Sequence, residues 1–147
     1  MIVMIQSVTS VVNEVRLLNN RLIELVDELH RASGITASQR AVLEFLHRHG
    51  PATVPAIARA RGVTRQHIQV ISNELTELEL IESKPNPAHQ RSPIYELTDP
   101  GRRSINDIIR RESDYLAAHG IGLDEKRLDA AAETLAELRH ALRKETP

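Results

Sequence analysis

Apolar side chains recur at Met4, Val8, Val11, Val15, Leu18, Leu22, Leu25 and Leu29, at intervals that alternate between four and three. Only an α-helix sets such residues in one line, and the alternation is that of a heptad seam. The spacing predicts a long helix from about Met4 to Arg31. At about 1.5 Å per residue it would be about 40 Å long, which is long for one small domain to cover. The plain reading is a helix packed on its own core. Its length favours a helix that also packs on a second subunit. A second seam, Leu128, Ala131, Leu135, Leu138 and Leu142, lies near the other end. The two seams together predict a dimer built from both ends of the chain.

Between the seams the helices are shorter and sharply punctuated. Gly34 ends the first, and Thr36 or Ser38 opens the second, about 37–49, with Ala41, Val42, Phe45 and Leu46 as its apolar face. Gly50-Pro51 stops it, because proline has no donor and disfavours helix in the residue before it. Thr53 caps a short third helix with Pro55 in its first turn, where the missing N–H does no harm. Gly62 ends that helix. Thr64 caps a fourth, about 65–79, with Ile68, Ile71 and Leu75 on one face. Ile57 and Ala58, then Gly62 and Val63, stand in helix-turn-helix order.

After Leu80 the pattern becomes short strands. Leu80 to Lys84 and Ile94 to Leu97 flank a turn-rich, polar stretch from Pro85 to Pro93, which reads as a hairpin, or wing. Thr98 or Asp99 opens a fifth helix with Pro100 in its first turn. It carries Ile105, Ile108, Ile109 and Leu116 and runs to about Ala118. Gly120 and Gly122 break it, and Asp124 caps the last helix. The predicted fold class is mainly α with a small β-hairpin wing.

Charge is distributed unevenly over these elements. The formal net charge is −1, yet residues 38–111 carry +3 while residues 1–37 carry −1 and residues 112–147 carry −3. Residues 45 to 73 contain no acid, but hold Arg48, Arg59, Arg61 and Arg65 with His47, His49 and His67. A local excess of cations on a helix pair suits a polyanion. The absence of cysteine excludes disulfides, thiolate nucleophiles and cysteine-bound zinc. Phe45, Tyr95 and Tyr115 are the only aromatic residues, too few for a base-stacking platform. The seven histidines have no ligand spacing, so no metal is expected. No phosphate-cradling glycine loop or catalytic motif appears, and neither an enzyme nor a cofactor is expected. The apolar start, Met1 to Ile5, is too short for a signal-peptide core, and no run is long enough to span a membrane. A cytoplasmic protein without membrane association is the expectation.

The fourth helix is the candidate reader. With Ile68, Ile71 and Leu75 turned to the core, Arg65, Gln66, Gln69, Val70 and Asn73 face outward. Arginine pairs with guanine, glutamine and asparagine pair with adenine, and Val70 can meet a thymine methyl. Thr64 caps the helix and offers a hydroxyl to phosphate. Arg91, the wing's one full positive charge between Asn86 and Pro93, is placed to enter a minor groove. A protein-binding winged helix without DNA contact is the competing reading, and there the same residues are solvated bystanders.

The order of long helix, helix, helix-turn-helix, wing and two closing helices resembles the MarR family of bacterial winged-helix transcriptional regulators. The likeness covers nearly the whole chain and is strongest from about Thr36 to Arg103, including Leu97-Thr98 followed by Pro100-Gly101 at the junction of wing and helix. It implies a single MarR-like domain over 1–147, with a DNA-binding lobe at 36–100 and dimerisation helices at 1–35 and 101–147. It also implies a homodimer on a pseudo-palindromic duplex operator, often a repressor, often released by a small-molecule effector bound between the dimer helices and the lobe. Five positions depart from the family pattern, one of them Gln90, where a second basic residue is common just before Arg91. His89 stands where an aspartate commonly braces the wing. Gln69 and Val70 replace a common serine or threonine followed by arginine. Glu79 replaces a helix-ending glycine, which leaves room for a helix end of different shape.

Overall fold

The computed structural model describes residues 1–119 and 122–142, apart from the side chains of His30 and Ala32. Gly120, read above as a helix breaker, and residues 143–147 of the C-terminal dimerisation segment lie outside the described residues. The elements run α1 (Ile2–His30), a 3-10 turn (Arg31–Ser33), α2 (Ala37–His49), β1 (Ala52–Thr53), α3 (Val54–Arg61), α4 (Arg65–Glu77), β2 (Ile81–Lys84), β3 (Ile94–Leu97), α5 (Asp99–Ala118) and α6 (Glu125–Ala141). Residues 1–113 form one compact unit and residues 114–147 a second.

In the first unit α1 begins two residues before the seam and gives way to the 3-10 turn ahead of Gly34, whose φ is +69°. Thr36 caps α2 through a full capping box: its hydroxyl accepts from the Gln39 N–H, and the Gln39 side chain accepts from the Thr36 N–H. Thr53 and Thr64 cap α3 and α4 in the same way with single hydrogen bonds. The core gathers Val42, Leu43 and Leu46 of α2, Ile57 and Ala58 of α3, Ile68, Ile71 and Leu75 of α4, Ile81, Tyr95 and Leu97 of the sheet, and Ile105 and Ile108 of α5. Leu43, absent from the apolar face read above, is fully buried, because α2 packs on both α4 and β3 and so buries more than one stripe.

The sheet has three antiparallel strands in the order β1-β3-β2. The hairpin of β2 and β3 was expected; β1 was not. It pairs Ala52 with Tyr95 and Thr53 with Ile94. The inner wing strand therefore has a neighbour on each side.

The end of α4 keeps the left-handed turn that glycine usually supplies, with Glu79 itself at φ +58°. The Leu80 N–H reaches the Leu75 carbonyl and the Glu79 N–H reaches that of Thr76. This is a Schellman closure, so the expected latitude in shape is not used and Glu79 bears the strain instead. Next to this turn α5 starts. The Thr98 hydroxyl donates to the Glu79 carbonyl at 2.7 Å and accepts from the Gly101 N–H at 3.0 Å, which makes Thr98 rather than Asp99 the cap. A Cβ on Gly101 would lie 1.8 Å from the Leu80 carbonyl oxygen.

In the second unit Asp124 caps α6 by accepting from the Arg127 N–H at 2.9 Å. No described residue of α6 is buried.

Two substitutions of opposite sign test this junction. Gly101→Ala forces a methyl group into a backbone carbonyl and should cost about 3 kcal/mol or more, at the upper end for overpacking. Glu79→Gly removes a left-handed strain of about 1 kcal/mol and should stabilise by up to that amount. Urea unfolding followed by circular dichroism reads both. A Glu79→Gly chain less stable than wild type would show that the turn is not strained.

Candidate nucleic-acid interface

Three devices aim α4. Gly62 adopts the left-handed conformation at φ +67°, and the Val63 N–H closes on the Ala58 carbonyl at 3.1 Å, which sets the tight turn out of α3. The Thr64 hydroxyl then accepts from the His67 N–H at 3.2 Å and starts α4 cleanly. Ile68, Ile71 and Leu75 are buried, so Arg65, Gln66, Val70 and Asn73 are exposed on the far side. Gln69 differs from its neighbours: it is half-buried, and its Nε2 donates to the Asn73 Oδ1 at 2.9 Å and to the Tyr95 hydroxyl at 3.1 Å.

The wing is braced by Asn86. Its Nδ2 donates to the Ser92 carbonyl at 2.9 Å, and its Oδ1 accepts from the Ala88 N–H at 3.1 Å. His89 joins through its backbone, accepting from the Ser92 N–H and donating to the Asn86 carbonyl. The Asn86 carboxamide thus ties both arms of the turn. Asn-Pro at Asn86-Pro87 was a visible turn signal in the sequence. The exposed Arg91 projects from this loop.

Arg65 and Arg91 come together at one notch of about 300 Å3, lined also by Val54, Pro55, Gln66, Gln69, Ser92 and Pro93. Neither arginine has a carboxylate partner among the described residues, and the same holds for Arg59 and Arg61. Other cations nearby are neutralised. Lys84 on β2 pairs with Glu96 and Glu82. Arg48 bonds Glu44 at 2.9 Å, so one of the four arginines in the acid-free window is already matched by the acid just outside it. The unmatched cations are those of the helix-turn-helix and the wing tip, where guanidinium groups can meet phosphate or base edges.

Arg40 holds α2 to α5. It grips both Glu112 oxygens, at 2.5 and 2.6 Å, and the Glu44 Oε2 at 2.5 Å. The hydrogen bonds to Glu112 push the Arg40 guanidinium further above its ordinary value against the effect of burial, and Glu44 adds to the rise. Burial alone would push the Glu44 carboxyl up, but the hydrogen bond and charge of Arg40, with Arg48, outweigh it and hold it below its ordinary value of 4.5. Beside this clamp a cleft of about 440 Å3 opens between α1 and the lobe, lined by Leu22, Ile23 and Val26 on one side and by Arg61, Val63 and His67 on the other.

Because its carboxyl titrates lower in the folded chain, Glu44 contributes stability above its ordinary value and loses it as pH falls through the folded value. The melting temperature should therefore hold from neutral pH down to about pH 5 and then fall. Glu44→Gln should melt lower at neutral pH and show a shallower acid limb. Thermal melts at stepped pH check this, and parallel acid limbs for the two chains would remove Glu44 from the account.

A model of the MarR family matches residues 33–92. A solved MarR family transcription regulator is 31% identical, with a TM-score of 0.80 over 96% of this chain and 95% of that one. An uncharacterized protein of Mycobacterium tuberculosis is 37% identical over 95 residues, 65% of this chain and 66% of that protein. The match thus spans just under two thirds of the length of that curated relative. The HTH-type transcriptional repressor NicR of Pseudomonas putida is 31% identical over 75 residues, 51% of this chain and 48% of that protein. A mutant MarR from E. coli, complexed with operator DNA, shares the fold at a TM-score of 0.78 and 17% identity, over 90% of this chain and 95% of that one.

Proposed function

The chain belongs to the MarR family of DNA-binding transcription regulators, and from that premise we propose that it acts as a homodimeric repressor on a pseudo-palindromic operator and is released by a small-molecule effector. One observation carries the DNA-reading part: the outward face of α4, opened by Thr64, meets the wing at a notch where Arg65 and Arg91 both lack carboxylate partners. In this reading Arg65, Gln66, Gln69, Val70 and Asn73 address the major groove and Thr64 a phosphate. Arg91 enters the neighbouring minor groove, where a narrow A·T-rich groove concentrates negative potential. That an E. coli MarR of like fold is complexed with operator DNA supports the DNA-binding part of this reading.

The homodimer rests on the two seams. Met4 is 66% exposed and Leu18 54% exposed on α1, and Leu128, Leu135 and Leu142 are exposed at α6 and its cap. Apolar stripes of that length seek a partner surface. The repressor and effector roles lean on the family and on the cleft between α1 and the lobe. A cytoplasmic setting fits this reading. Among the described residues no helix is long and apolar enough to cross a membrane.

Selection of random duplexes by the full chain tests the proposal. Two-fold symmetry should return inverted half-sites about one helical turn, roughly 10 bp, apart. On the selected site Arg65→Ala should lose about 1–3 kcal/mol and relax one base position, while Arg91→Ala should flatten only the preference for A·T-rich flanks. Direct repeats, or binding that is equal on specific and random duplexes, would overturn it. Light scattering should give twice the chain mass before DNA is added.

A further inference from the structure

We infer that Tyr95, on the inner strand of the wing sheet, is a specificity-determining positioning residue. Its hydroxyl fixes the Gln69 amide so that α4 offers the major groove a lone carbonyl acceptor, which selects a base bearing an exocyclic amine, adenine or cytosine. The inference rests on the DNA-binding reading above and goes beyond it to the chemistry of one base position.

The geometry is specific. A glutamine amide has two N–H donors and one carbonyl acceptor. Both Gln69 donors are engaged within the protein, one by the Asn73 Oδ1 at 2.9 Å and one by the Tyr95 hydroxyl at 3.1 Å. Gln69 Oε1 has no partner among the described residues. A free glutamine reads adenine with two bonds, giving an N–H to N7 and taking one from N6. Gln69 has only the second half of that pair to give. Adenine N6 and cytosine N4 are the major-groove donors, whereas guanine and thymine present acceptors there. The held amide thus matches adenine and cytosine alike and leaves guanine or thymine facing an acceptor.

Tyr95 is well placed to impose this. Tyr95 is 6% exposed as a residue and belongs to the core. Its backbone sits in the middle strand, opposite Ala52 on one side and Ser83 on the other. The ring therefore cannot follow Gln69 if the amide turns. A buried tyrosine needs a partner for its hydroxyl, and among the described residues Gln69 supplies it. The wing sheet and α4 are thus joined by a polar bond that leaves the Gln69 carbonyl without a partner among the described residues.

The test uses the full-length chain and duplexes from the random selection, varied one base at a time. The base position addressed by Gln69 is the one whose preference flattens in Gln69→Ala. At that position the wild-type chain should bind adenine and cytosine within about twofold of each other, and both about tenfold tighter than guanine or thymine. Tyr95→Phe keeps the ring and removes only the oxygen. It frees one N–H, so adenine should gain over cytosine by about fivefold or more as the two-bond pairing becomes available. In a Gln69→Ala background the same Tyr95→Phe change should leave the base profile unaltered. An unchanged adenine-to-cytosine ratio in Tyr95→Phe would overturn the inference, as would a uniform weakening on every duplex, a wild-type preference for guanine or thymine, or a change that persists without Gln69. A wild-type chain with no base preference anywhere would instead overturn the DNA-reading proposal on which this one stands.

Discussion

The lobe hangs on one close approach between backbones. The Leu80 carbonyl oxygen occupies the place where a side chain at position 101 would begin, and it also accepts from the Thr98 N–H at 3.1 Å. Leu80 follows the left-handed turn that closes α4 and leads into β2, and Thr98 and Gly101 lead β3 into α5. Helix α4, the wing and α5 therefore share a single joint a few atoms wide. Any rotation of α4 about its axis must pass through that joint. The pair of tests at Glu79 and Gly101 weighs its two halves, the strained turn and the missing Cβ.

A second set of polar ties reinforces it from the other end. Gln39 closes the N-terminus of α2 and also donates to the Glu74 Oε2 at 2.9 Å, from α2 across to α4. Arg40, the next residue, grips Glu112 on α5 and Glu44 on its own helix. Buried charge is costly unless paired on several sides, and here the guanidinium is matched by two carboxylates. A reading surface needs this kind of support, because base recognition depends on side chains held to within a fraction of an ångström.

Much of this was legible in the sequence because punctuation there is local. Thr36, Thr53, Thr64 and Asp124 all cap the helices their positions announced, and Ile68, Ile71 and Leu75 all turn inward. The bounds of α2 and β3 follow directly from Gly50-Pro51, Pro93 and Thr98. What escaped was non-local. A strand of two residues such as β1 has no periodicity to read, and only pairing with Tyr95 and Ile94 defines it. Leu43 breaks the single-stripe pattern because α2 is covered from two directions. Gln69 reads as a free polar residue until Tyr95, 26 positions later, is folded against it. Asn86 as the wing brace, and Glu79 in a left-handed turn, likewise depend on partners that spacing alone does not supply.

Net charge is a poor guide to what a phosphate meets on this surface. At physiological ionic strength charges are screened over about 8 Å, so the whole-chain value of −1 matters less than the few groups within that range. Within the helix-turn-helix and the wing those groups are Arg59, Arg61, Arg65 and Arg91, none held by a carboxylate among the described residues. Two of the nearby acids are already occupied, Glu44 by Arg40 and Arg48 and Glu96 by Lys84. Around this surface the ion pairs lie on α2 and across strands β2 and β3, and the guanidinium groups of the helix-turn-helix and the wing tip are left without a carboxylate among the described residues. An unmatched arginine on the surface remains solvated at little cost, whereas one already in an ion pair would have to break it before meeting a phosphate. Leaving these four free therefore favours a polyanion over any internal partner.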